Sequence, residues 1–203
     1  REMGRETQSN LIIGFDPSTR FVGWGILDVA GSAEPRHVAS GVIEGKGGTL
    51  FGRYRSIRFK AREVLQKYPA ITSAAFEEGI IFKAPEDPAM RNKANPHTAL
   101  AQAEVRGIII GLVIDLGLPF QKYMPSTVKK AATGNGKSKK FMVAQCIVSR
   151  FGLAYADPDQ ADAIAVALAH AYRLDEERLK LVPPDPMAGT FWASKEAAEG
   201  EGN

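Results

Sequence analysis

Leu11-Ile12-Ile13-Gly14-Phe15-Asp16 is the stretch that decides the fold: five residues without a charge, then a carboxylate. An unbroken apolar run of this length reads as a strand buried on both faces, as in a sheet with helices on each side. Outward from it, residues 21–29 and 37–44 read as two more strands, set off by turns at Gly31 and Pro35. Three strands in succession make an antiparallel meander. The period then changes. Tyr54, Ile57, Ala61, Val64, Leu65 and Tyr68 recur at helical spacing and predict a helix over 51–68. Residues 73–78 are a fourth strand ending in Glu77 and Glu78, and 80–95, with Pro85, Pro88 and several charges, are a loop. A long helix over 97–116 ends at Gly117, and 119–124 form a fifth strand. Ser126 is placed to cap the next helix, Gly134-Asn135-Gly136 is a turn, and another helix covers 138–151. Asp157 caps a last helix with Pro158 in its first position, running to about Arg173. The order predicts an α/β fold, a mixed five-stranded sheet with an antiparallel meander followed by parallel strands and flanked by helices. One domain spans 10–174, with extensions at 1–9 and 175–203, the latter partly mobile.

Composition narrows the function. At 44% hydrophobic and 24% charged, the 203-residue chain is long enough to bury a core. The one cysteine, Cys146, excludes an internal disulfide and reads as a small buried hydrophobe. No apolar run reaches the roughly 18–20 residues of a membrane span, so the cytoplasm is the expected location. Three scattered histidines and one cysteine exclude a zinc site of the usual spacing, and neither phosphate-binding glycine motif is present. Residues 174–203 hold seven acids and three bases, leaving 23 bases against 16 acids in the rest. A basic body points to a polyanionic partner.

What remains is carboxylates in unusual places. Asp16 ends a buried strand, where a charge is expensive unless paired. Glu77 ends another, and of the adjacent pair only one can face inward, leaving Glu78 to solvent. Asp159 and Asp162 lie three apart and share a helix face. Four acids meeting at the ends of neighbouring strands would repel one another unless cations filled the site. Oxygen ligands without nitrogen or sulfur point to Mg2+ or Mn2+, and two such ions are a common apparatus for displacing an oxygen at phosphorus. A first-turn helix acid or an acid opening a turn can also be purely structural. His170, eight residues beyond Asp162, is too far along the helix for the same ion.

Five segments, in order, resemble the RuvC-type Holliday junction resolvases of the RNase H-like superfamily. They are Ile13-Gly14-Phe15-Asp16-Pro17-Ser18 with Gly23-Trp24-Gly25, Ala75-Phe76-Glu77-Glu78, and Ala103-Glu104-Val105-Arg106-Gly107. Pro125-Ser126 with Lys129-Lys130 and Thr133-Gly134-Asn135-Gly136 form the fourth, and the run from Gln160 to Ala167 the fifth. The resemblance implies an RNase H-like fold, a metal-dependent endonuclease acting on branched DNA, and Asp16, Glu77, Asp159 and Asp162 as metal-binding acids. It implies two Mg2+ ions bridged by Asp16, a 5′-phosphate nick, and a relaxed, phage-type substrate range as one possibility. It also implies a lysine near the scissile phosphate, for which Lys137 and Lys140 both qualify. An aromatic that stacks on a junction base is displaced: the expected position holds Ile80, and Phe82 is the substitute, with a core role equally open.

Lys129, Lys130, Lys137, Lys139 and Lys140 fall within twelve residues containing no acid, and Arg53 and Arg58 stand on the basic helix at 51–68. These are the candidate phosphate contacts. The alternatives to a resolvase are a ribonuclease for RNA–DNA hybrids and a junction-binding protein without catalysis. A two-fold homodimer is expected, with the apolar helix at 97–116 as its seam and Gly107 and Gly111 allowing close approach. No residue identifies a branch-migration helicase partner.

Overall fold

The computed structural model describes residues 10–31, 34–79 and 96–181. Expectations for Phe82, for the loop at 80–95, and for residues 1–9 and 182–203 fall outside them. The chain divides into two compact units, Arg1–Tyr172 and Arg173–Asn203. Of the second, the described part is the end of the last helix, where Arg173 pairs with Glu177 one turn on at 3.0 Å.

In the first unit the strands are β1 (Leu11–Pro17), β2 (Phe21–Asp28), β3 (Arg36–Glu44), β4 (Ile71–Glu77) and β5 (Phe120–Tyr123). The described helices are α1 (Leu50–Lys67), α2 (Pro96–Asp115), α3 (Pro125–Thr133), α4 (Lys140–Phe151) and α5 (Pro158–Leu181). The sheet order is β3-β2-β1-β4-β5. The first three strands are antiparallel, while β4 and β5 run parallel to β1. This is the mixed sheet expected from the sequence, with the apolar run at its centre.

Strand alternation divides β1 between two neighbours. Leu11, Ile13 and Phe15 enter a core with Ile57, Ala61 and Leu65 of α1 and Val105, Ile109, Leu112 and Val113 of α2. Phe15 stacks on Phe76 of β4 with ring centroids 5.5 Å apart. The even positions turn to α5. A Cβ on Gly14 would lie 2.3 Å from the Ala163 carbonyl oxygen. His170 of α5 bonds Ser73 of β4 at 2.9 Å and Tyr123 of β5 at 2.8 Å, so it is a buried structural tie.

Several boundaries differ from the sequence reading. β4 begins at Ile71 instead of Ser73. α1 starts one residue early because Thr49 accepts the Gly52 N–H at 3.1 Å. Ser126 does not cap α3: Pro125, with φ fixed for a first helical position, moves the cap to Met124. α4 starts at Lys140, since Ser138 instead bonds the Thr133 hydroxyl at 2.8 Å in the preceding turn. α5 continues past Arg173 to Leu181 through residues that favour helix. Cys146 is half-buried, not buried. By length and composition alone α2, over His97–Asp115, is apolar enough to cross a membrane, although Gln102, Glu104 and Arg106 interrupt its apolar residues. Its buried side is in the core just described.

Candidate active site

Asp16 follows Phe15 on β1, and by alternation it faces α5. On β2 it is paired in register with Gly23. That glycine decides the site, because a Cβ there would lie 1.9 Å from the Asp159 carbonyl oxygen. Only a hydrogen lets the first turn of α5 settle on the sheet beside Asp16. Further along, Gly14 meets the Ala163 and Ala167 backbone in the same way.

The start of α5 is fixed as well as close. Asp157 accepts the Asp159 N–H at 2.9 Å, and Gln160 returns its side-chain oxygen to the Asp157 N–H at 3.2 Å, a reciprocal cap. The Gln160 amide then donates to Ser40 of β3 at 2.6 Å. The helix end is thus tied to the sheet at the turn that carries the acids.

Asp16, Asp159 and Asp162 consequently bring carboxylate oxygens within 4.8 Å of one another. Glu77, on the same face of β4, stands outside that tight group, but its charge acts on Asp16. Glu78 is exposed, as expected for the outward member of the pair. Burial, followed by the charges of Asp162 and Glu77, pushes Asp16 up to about 7. Burial also raises Glu77, with Asp162 adding to it, and raises Asp162 against the opposing effect of Lys140. These are carboxyls held where their charged forms lack enough positive charge.

One cation partly answers that lack. Lys140 Nζ lies 2.8 Å from Asp162 Oδ2 and 3.4 Å from Asp159 Oδ1. Burial works against its charge, yet the bond to Asp162 leaves its pKa raised. Of the two lysines left open by the sequence, Lys140 reaches the acids. The Lys137 backbone N–H is engaged instead in the turn, on Asn135 Oδ1 at 3.0 Å. Lys129 is near enough to lower Glu77 and Asp162. Lys130 and Lys139 are exposed, with no ion pair among the described residues. Arg53 and Arg58 stand apart on α1. Arg53 lines a hollow with Arg20 and Lys46, and Arg58 pairs with Asp115 at 3.5 Å.

Arg106 is the residue that sequence reasoning passed over, quoted within a motif and given no role. A Cβ on Gly79 would lie 2.5 Å from its Nη1, and its charge opposes the rise in Glu77. The signal available was an arginine inside an apolar helix, where a charge needs a reason.

A family model described as crossover junction endodeoxyribonuclease RuvC matches residues 12–170. The chain is 33% identical to the protein of that name from Cereibacter sphaeroides over 164 residues, 80% of this chain and 90% of that one. It is likewise 33% identical to the one from Azoarcus sp., over 79% of this chain and 81% of the relative. The structure of Thermus thermophilus RuvC in complex with Holliday junction substrate aligns at TM-score 0.69 and 25% identity, covering 82% and 96% of the two chains. The yeast mitochondrial Holliday junction resolvase shares the fold at TM-score 0.52 and 11% identity, over 82% of each chain.

Proposed function

The chain belongs to the RuvC family of crossover junction endodeoxyribonucleases, and on that footing we propose that it resolves Holliday junctions and related branched DNA by hydrolysing phosphodiester bonds. The observation that carries the reading is the convergence of Asp16, Asp159 and Asp162 within 4.8 Å, with Lys140 against two of them. Half-buried carboxylates at that spacing repel one another, and added positive charge relieves the repulsion. The donor set is all oxygen, which suits a hard divalent ion. An Asp16 pushed up to about 7 is a site short of cations. The residues therefore fit Mg2+, with Mn2+ as a substitute, held by Asp16, Asp159 and Asp162 with Glu77 as the fourth acid. Two such ions, when bound, supply an activated water and charge balance at the departing 3′ oxygen, leaving a 5′-phosphate.

The chain's own residues supply placement. Asp16 lies between α5 and Glu77 and is the group that can serve both sides of the cluster. Lys140 occupies cation space, and with ions present its exposed ammonium is free to meet a phosphate oxygen. Lys129, Lys130, Lys137, Lys139 and the α1 bases Arg53 and Arg58 hold the backbone without reading sequence. Phe82 stacks on a junction base. Residues 10–174 form the nuclease domain, flanked by the 1–9 and 175–203 extensions.

A four-way junction presents two symmetry-related strands, so two paired cuts call for a two-fold homodimer. α2 is its seam: Leu100 and Ile114 are exposed, and Cβ atoms on Gly107 and Gly111 would meet nothing within 4 Å. Sedimentation at micromolar concentration tests this, and monomer alone, with and without junction, refutes it. For cleavage, a synthetic four-way junction and an RNA–DNA hybrid duplex are compared with Mg2+ and with EDTA. Paired, Mg2+-dependent nicks with 5′-phosphates in the junction are expected. Preferential cutting of the hybrid would replace the resolvase reading with a ribonuclease.

A further inference from the structure

The outer face of α1 carries a pattern that the cleavage site does not use. Phe51, Arg55, Arg58, Phe59 and Arg62 share one side of the helix, since residues three and four apart are neighbours there. Ile57, Ala61 and Leu65, on the adjoining side of the helix, are buried in the core. Phe51 is 76% exposed and Phe59 63%. Burying a phenylalanine side chain is worth about 1.5–3 kcal/mol, so two rings held in water on one stripe are a standing cost. Around Phe59, Gly52, Arg55, Ser56, Arg58 and Arg62 line an open depression of about 480 Å3. Arg55 and Arg62 have no ion-pair partner among the described residues. The helix holds six bases against one acid, Glu63.

We propose that this stripe docks an unpaired DNA strand of the branched substrate, with guanidinium groups on its phosphates and the phenyl rings against its bases. The proposal rests on the preceding reading of the partner as branched DNA. Charge selects a polyanion. The rings select its unpaired form: a duplex hides its base faces, whereas a single strand offers one at every nucleotide, and stacking is tolerant of sequence. Phe51 and Phe59 are eight residues apart, roughly 12 Å along the helix at 1.5 Å per residue, so they engage separate bases. A second copy of the chain fits less well, because a two-fold contact would set arginine stripe against arginine stripe. The location is suitable. Asp16 pairs with Gly23, Pro17 with Val22 and Phe21 with Glu44, so the chain leaves β3 toward α1 at the same end of the strands as Asp16.

The test uses the full-length protein with Ca2+ in place of Mg2+ for binding. Fluorescence anisotropy compares a four-way junction of duplex arms, the same junction with one arm single-stranded, and oligo(dT). Wild type is expected to favour the single-stranded arm, and Phe51→Ala with Phe59→Ala to weaken binding to that junction and to oligo(dT) by about tenfold. The same double variant should bind and, with Mg2+, cut the all-duplex junction at the wild-type rate, which also reports that it is folded. Phe59→Trp should keep the preference. Arg55→Gln with Arg62→Gln should flatten the salt dependence on oligo(dT) by about 0.7 per lost phosphate contact. Equal binding by wild type and the alanine variant overturns the proposal, as does equal weakening on all three DNAs or a changed sedimentation coefficient. A wild type that cuts no junction overturns the cleavage reading instead, and the oligo(dT) comparison still decides the stripe.

Discussion

Replacing Asp16 with asparagine should stabilise the cation-free protein while abolishing cleavage, and the gain should grow with pH. Asp16 titrates near 7 in the fold against 3.8 unfolded. A carboxyl raised in this way is neutral in the folded protein at acid pH and penalises folding as the pH rises from the unfolded value to the folded one. At 1.36 kcal/mol per unit, the penalty is about 1.7 kcal/mol near pH 5 and about 4.3 kcal/mol near pH 8. Asparagine keeps the shape and removes the titration. The variant's advantage should therefore be about 2.6 kcal/mol larger near pH 8 than near pH 5. For a chain of this size that is roughly 5–10 °C in Tm. Thermal unfolding of both proteins in EDTA across this range measures it. Mg2+ should then raise the Tm of wild type near pH 8 and leave the variant almost unmoved, since a ligand that binds only the folded state stabilises it. Junction binding should survive in the variant because the phosphate contacts lie elsewhere. A wild type–variant difference independent of pH would show that Asp16 is not held at a charge-starved position. Cleavage by the variant at the wild-type rate would remove it from the site.

Lys140→Gln should lower kcat by about 10²–10³, the usual loss for one well-placed electrostatic group. Because the ammonium lowers Asp16 and Asp162, its removal should also move the rising limb of the pH–rate profile to higher pH; an unmoved limb would mean that it does not act on them. Gly23→Ala forces a Cβ against the Asp159 carbonyl and should cost about 1–3 kcal/mol in urea unfolding, with cleavage down about 10²-fold. Gly48→Ala, whose Cβ meets nothing, is the neutral control, and equal behaviour of the two would refute the close-packing account. Changing Lys129, Lys130, Lys137 and Lys139 together to alanine should flatten log K against log salt by up to about 0.9 per lost phosphate contact on duplex arms. An unchanged slope would leave that segment facing solvent.

The mixed sheet and the succession of its elements were legible because most strands carried a strong local signal: the apolar run of β1, the change of period at α1, the strand-ending Glu77. Boundaries were less so, since they turn on single bonds. The Thr49 cap starts α1 one residue before the helix expected from its apolar period, and Pro125 displaces Ser126. Of the candidate site, the acids could be picked out as charges in costly places, and their convergence follows from β1 alternation. The choice between Lys137 and Lys140 could not be made, because it depends on where the turn at Asn135 leaves the chain. The role of Gly23 was invisible for a related reason. A glycine in a strand signals a close approach without saying what approaches, and here the partner lies 136 residues away.

That approach explains how the fold tolerates a cluster that works against it. Burial and mutual repulsion raise Asp16, Glu77 and Asp162 together, so the acids would move apart if α5 were free to lift. It is not free. Ala161, Ala163, Ile164, Ala165, Val166 and Ala167 are buried, with Gly14 and Gly23 receiving the helix backbone. His170 ties its far part to β4 and β5, while the Asp157–Gln160 cap and Ser40 tie its first turn. Small residues, which allow the closest approach of backbone to backbone, also leave the fewest ways to yield, because no long side chain can change rotamer to relieve the strain. The stability lost at the carboxylates is thereby offset along the whole helix, and the carboxylate oxygens of Asp16, Asp159 and Asp162 stay within 4.8 Å of one another, a grouping that can accept a metal ion. Enlarging Ala163 or Ala167 should for this reason impair cleavage although neither side chain touches DNA. Ala167→Val is expected to lower the Mg2+-dependent rise in Tm as well as kcat, and a variant that lost stability but kept its full response to Mg2+ would show that the spacing is set by the first turn of α5 alone.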